Sequence, residues 1–100
     1  MADVTIVYWR DIPAQVLVGR GRKAAKAPLC ERFEQAIDRA AMKAGLAGTD
    51  DYLSQWRRGT PYGVDGASDD QQVANSEAAR LEAQYDRDRL KALVDNGGWA

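Results

Sequence analysis

The run VTIVYW, Val4 to Trp9, is β-branched or aromatic throughout and predicts a strand. Alternation sets Val4, Ile6 and Tyr8 on one side and Thr5, Val7 and Trp9 on the other. Both sides are largely apolar, which predicts a strand covered on both faces. Arg10-Asp11-Ile12-Pro13 reads as a turn, and Ala14 to Val18 as a second strand, so a β-hairpin is expected. Two strands alone are marginal. The only other candidate is Thr60 to Val64, short and interrupted by Pro61 and Gly63.

From Pro28 to Ala44 the period changes to that of a helix. Leu29, Phe33, Ala36, Ile37, Ala40, Ala41 and Ala44 form one apolar stripe. Pro28 suits a first helical position, Glu31 and Glu34 suit the positive end of the dipole, and Arg39 and Lys43 suit the negative end. Gly45 is placed to end the helix. Thr49 reads as the N-cap of a short helix, Asp50 to Arg58, with Tyr52, Leu53 and Trp56 toward the core. Gly63 to Ala67 reads as a loop. Ser68-Asp69-Asp70-Gln71 has capping-box form and opens a helix that could run to Val94. Its apolar positions change phase: Ala74, Ala78, Leu81 and Tyr85 share a face, whereas Leu90, Leu93 and Val94 lie nearly opposite. Either the helix breaks near Asp86-Arg87-Asp88, or its halves pack against different things, the second arrangement suggesting an arm that touches a partner. The expected architecture is one α+β domain over residues 1–100. Its core spans 3–59, a loop 60–67 and an acidic helical arm 68–96.

Composition adds limits. Alanine supplies 17 of the apolar positions, so the larger ones are few for a chain of 100 residues. The net charge of −1 points to neither nucleic acid nor a membrane surface, and no apolar run is long enough to span a bilayer. The charge is nevertheless divided. Residues 1–62 carry 10 Lys/Arg against 7 Asp/Glu, and residues 63–100 carry 4 against 8. That asymmetry would bring the two halves together or orient a partner. One cysteine and no signal-peptide pattern lead to an expectation of cytoplasmic location.

Candidate chemistry is sparse. With no histidine and a single cysteine, neither a zinc or haem ligand set nor a serine–histidine triad can be assembled. No metal, cofactor or catalytic residue is expected. Asp50-Asp51 and Asp69-Asp70 suit first helical turns better than a cation. Glu34 and Asp38, at i and i+4, could form a carboxylate pair, but a solvated helix face accounts for them. Cys30 at a helix start lacks a base. The segment GRGRKAAKAP, 19–28, lacks the third glycine of a dinucleotide loop and the pattern of a P-loop. Its Arg20, Arg22, Lys23 and Lys26 could bind a small anion, or form a basic link between strand and helix. Trp56-Arg57-Arg58, with Trp9 nearby, has hot-spot composition if exposed.

Taken together, VTIVYWRDIPAQV, GRKAAK, ERFEQAIDRAAMKAG and DDYLSQWRRG make the chain resemble the small virulence factor domain proteins of alphaproteobacteria, whose domain is related to one in larger conserved virulence factors. The resemblance covers residues 3–59 closely and the C-terminal helix more loosely. It carries over no catalytic residue. It implies a shared surface near Arg32, Trp56 and Arg57, and an accessory role to a folate or methyl-transfer enzyme as an alternative. The leading expectation is a non-enzymatic accessory protein that binds a protein partner or itself. The residues expected at that interface are Trp9, Arg32, Trp56, Arg57, Arg58, Leu90, Leu93 and Val94. An anion-binding module is the second expectation.

Overall fold

The computed structural model describes residues 2–19, 24–64 and 69–100. Strands β1 (Ala2–Trp9) and β2 (Ile12–Val18) form the expected antiparallel hairpin. Its turn is only Arg10-Asp11, shorter than the sequence suggests. Ile12 and Pro13 already pair, with Trp9 and Tyr8, and the register shifts at Val7/Tyr8 so that Ala14 is the unpaired residue of a bulge. Arg10 takes a left-handed φ of 54°. A non-glycine residue holds this conformation only where its surroundings over-determine it. Here Nε donates to Gln55 Oε1 (3.2 Å), Nη1 donates to the Gly97 carbonyl (2.7 Å), and the guanidinium lies 5.1 Å from the Trp9 ring and 5.0 Å from Trp99.

Among the described residues three further strands extend the sheet. Strand β3 (Ala25–Pro28) pairs with β2, while β4 (Trp56–Arg58) and β5 (Tyr62–Val64) both pair antiparallel with the other edge of β1. Two of these correct the sequence reading. Ala25–Pro28 is not a basic linker leading straight into a helix. It is an edge strand that buries Ala27, and Pro28 closes it, as an edge position allows. Trp56–Arg58 is not the end of a helix. The Arg10 amide donates to the Gln55 carbonyl (3.1 Å) and the Gly59 amide to the Ile6 carbonyl (2.8 Å). Pairing with the open edge of β1 therefore overrides the local helical pattern. The interrupted Thr60–Val64 candidate does form a strand, but only over its last three residues.

Helix α1 (Glu31–Lys43) starts at Glu31 rather than Pro28, with Cys30 at its N-cap. Its C-terminus has the two bonds of a Schellman motif, Leu46 amide to Ala41 carbonyl (2.9 Å) and Gly45 amide to Met42 carbonyl (3.1 Å), with Gly45 at φ 74°. Helix α2 (Asp50–Ser54) is a single capped turn. The long C-terminal helix is broken: α3 (Asp70–Gln84) and α4 (Arg87–Asp95) are separated at Asp86, whose carboxylate accepts from the Arg89 amide (2.8 Å) and caps α4. Ser68 of the expected capping box lies outside the described residues, and Asp69 caps α3 instead by accepting from Gln72.

The phase change in the sequence thus resolves inside the chain. Helix α3 packs on β2 and β3, and α4 packs on α1. Val4, Ile6, Val16 and Val18 from the sheet meet Phe33, Ile37, Ala40, Ala74, Leu81, Leu90 and Leu93 in one core. At about 1.5–3 kcal/mol per large apolar side chain, that cluster is the main stabilising term. The opposite face of β1 is less covered than expected. Thr5 and Val7 are half-buried, and only Trp9 is fully enclosed.

Candidate interaction surface

Trp9, Tyr52 and Trp56 form a series running from core to surface. Trp9 is fully buried and its Nε1 donates to the Tyr52 carbonyl at 2.9 Å. An indole N–H buried without such an acceptor would cost about 1–3 kcal/mol. The Trp9 and Tyr52 rings lie 5.6 Å apart, and the Tyr52 and Trp56 rings meet edge-on at 6.2 Å. Tyr52 is half-buried and Trp56 is 37% exposed. Local chemistry sets this order. Thr49 caps α2 and holds its single turn, so Tyr52 drops against Trp9, while Trp56 falls on the outer edge of the sheet.

Two neighbouring pockets that share Asp38 and Tyr52 flank this series and together make up a shallow trough. On the Trp56 side its floor is Ala14, Pro28, Leu29 and Ile37, with Glu34 and Asp38 on the rim. Past Tyr52 it continues over Ala41, Met42 and Ala47, with Asp38 lining both parts. Met42 and Leu53 are 62% and 64% exposed. Trp56 and Met42, each lining a pocket with Tyr52, and Leu53 next to Tyr52 in sequence are thus exposed apolar side chains, a composition suited to an interface. The electrostatics are acidic. Burial, then the negative charge of Asp38, push the Tyr52 hydroxyl above its ordinary pKa; a hydrogen bond involving Trp56 opposes this, and Glu34 adds a smaller push upward.

Among the described residues no strand pairs with the outer edge of β4, beside the trough. In an antiparallel pair, alternate residues point their amide and carbonyl groups outward. The bonds at Gln55 and Gly59 fix Arg57 as the residue bonded to β1, leaving the backbone groups of Trp56 and Arg58 turned away from it. All three β4 residues are exposed.

The other sequence-predicted residues are dispersed. Trp9, Leu90 and Leu93 are buried in the chain's own core, and Val94 is half-buried. Arg32 reaches across to α3, donating from Nη2 to the carbonyls of Glu82 (2.8 Å) and Tyr85 (3.3 Å). Arg57 is held on the sheet: Nη2 is 3.0 Å from Asp11 Oδ1, Nε donates to the Arg10 carbonyl, and the guanidinium covers the Tyr8 ring at 4.6 Å. Arg58 is exposed opposite Val7. Of the anion candidates, Arg20, Arg22 and Lys23 lie outside the described residues, and Lys26 is exposed on β3. The pattern of Tyr52, Leu53 and Trp56 predicts three core-facing side chains; edge pairing instead leaves Trp56 outside, and Leu53 on α2 is exposed as well. Met42, absent from the expected interface, had a visible signal: it is a large apolar residue off the α1 stripe.

Cys30 is shielded by burial, which together with the nearby Glu82 raises its thiol pKa, the reverse of activation. Among the described residues no group of three or more His, Cys, Asp or Glu side chains is placed to hold a metal ion, and no helix is long and apolar enough to cross a membrane.

No curated protein and no solved structure matches the chain. The family model described as virulence factor matches residues 7–94, a span that contains β4, α2 and the whole trough. The chain belongs to the virulence factor family.

Proposed function

We propose that the protein is a non-enzymatic interaction module, an accessory protein that binds a protein partner through the Tyr52–Trp56 trough and the adjoining β4 edge. The observation that carries this reading is the exposure of Trp56 against the half-buried Tyr52 at an open strand edge. Tryptophan and tyrosine dominate binding energy where they can be desolvated at the centre of a contact. The acidic rim of Glu34 and Asp38 favours a segment that offers an apolar side chain together with a cation. An extended segment would also find the outward backbone groups of Trp56 and Arg58. Arg57, Arg58 and Pro61 are typical of an edge protected against indiscriminate pairing, and two copies paired through β4 would set these arginines against each other. A different protein is therefore favoured over self-association. A lone cysteine supports a cytoplasmic setting.

The test is sedimentation of the purified chain combined with pull-down by wild-type and Trp56→Ala baits. The reading expects a monomer that captures a defined protein only while Trp56 is present. A monomer from which nothing is captured by either bait contradicts it.

A further inference from the structure

A second groove, between α1 and α4, has the opposite charge character. Arg32 and Arg39 line it from α1, and Arg87 and Lys91 from α4. Among the described residues none of these four is in an ion pair, and Arg32 alone is partly engaged, its Nη2 donating to the Glu82 and Tyr85 carbonyls of the α3 end. The groove also holds Glu31, Asp88 and Asp95, but Asp95 is already bound by Lys43 Nζ at 3.6 Å, and Glu31 accepts from Gln35. With Lys43 counted, five cations stand against three carboxylates, Glu31 keeping its charge because Gln35 is neutral, so the groove carries a modest positive excess. Between the charges, Ala36, Leu90 and Val94 give the groove an apolar floor.

The spacing narrows the ligand. Arg32 and Arg39 are seven positions apart, a rise of about 10 Å, and Arg87 and Lys91 are about 6 Å apart along α4. A single phosphate seated at one end of the groove leaves the cations at the other end unanswered. A molecule with separated anionic groups can reach both ends while its middle lies on the apolar floor. We propose that the α1–α4 groove binds a small linear dianion, with a phosphate or carboxylate at each end and an uncharged middle. This site is on different residues from the Trp56 trough and stands independently of it.

The experiment is a titration of the 15N-labelled full chain at constant ionic strength, with 1,6-hexanediol bisphosphate and, separately, inorganic phosphate. The bisphosphate is expected to shift amides of residues 31–39 and 87–95 saturably, with inorganic phosphate at least tenfold weaker. The Arg39→Glu/Lys91→Glu double variant, both positions being exposed, is expected to weaken binding more than tenfold with an unchanged circular dichroism melt. Should charge reversal disturb the fold, Arg39→Gln/Lys91→Gln replaces it and is expected to weaken binding at least threefold. Shifts centred on residues 20–26, equal response to both probes, or binding unaffected by a folded variant would each overturn the proposal.

Discussion

Gly98 lies against the indole of Trp9 so closely that a Cβ at this position would stand 2.9 Å from Trp9 Cζ3 and 3.2 Å from Arg10 Cδ. The contact joins the C-terminal segment to the hairpin turn. The Asp11 amide donates to the Gly98 carbonyl at 2.8 Å, and the Gly98 amide closes α4 on Leu93 at 2.7 Å. With φ at 97°, the position disfavours any side chain even without the contact. Gly98→Ala is expected to lower stability by about 2–3 kcal/mol, combining backbone strain with overpacking. Gly48, at φ 77° with open space around it, separates the two effects. Gly48→Ala should cost only the strain, about 1 kcal/mol. Urea denaturation of both variants measures the difference.

The two tryptophans of the aromatic series should behave oppositely. Trp9→Ala empties a fully buried site and is expected to cost about 3–5 kcal/mol. Trp56→Ala removes a partly exposed ring and should cost about 1 kcal/mol or less, leaving the circular dichroism spectrum intact. A Trp56→Ala variant as unstable as Trp9→Ala would show that the ring is a core element and not a presented one.

Asp86 separates two helices that need different faces. Removing its cap with Asp86→Ala is expected to destabilise the chain by about 1 kcal/mol, while Asp86→Asn should be nearly neutral because asparagine also caps. Denaturation midpoints of the two variants check this, and equal losses would assign the effect to charge alone.

Alkaline pH should weaken the fold. Burial raises the pKa of Tyr8, Tyr52 and Tyr62, and of the Cys30 thiol. A raised folded-state pKa means that the folded chain holds its proton more tightly, so the unfolded state loses protons first as pH rises. This stabilisation is complete below the unfolded values and is lost upward through the folded ones. Unfolding free energy is expected to be steady up to about pH 8 and to fall from about pH 9 upward. The same burial predicts that Cys30 alkylates more slowly in the native chain than in urea at pH 8. An unfolding free energy that stays constant to pH 10.5 would contradict the assignment.

The hairpin, α1, the caps at Thr49 and Gly45 and the break near Asp86 were legible in the sequence because each has a local cause: alternation, a stripe, or a capping side chain. Strands β3 and β4 were not. AKAP has no β-branched residue, and WRR continues a helical pattern; both become strands because open edges of β1 and β2 lie beside them. The site suffered from the same non-local effect. The sequence offers Trp56 as an interface candidate, but its exposure depends on edge pairing that no local pattern reveals. Leu90 and Leu93 showed a genuine phase change whose second partner is α1 of the same chain.

The Tyr52–Trp56 trough is the proposed partner-binding surface. Its most direct test is hydrogen exchange of the chain alone and in complex with the protein captured by the wild-type bait. Added protection is expected at residues 52–58 and at Met42, including the amides of Trp56 and Arg58, with loss of the complex on Trp56→Ala. Protection confined to other surfaces, with Trp56→Ala binding as tightly as wild type, would contradict it.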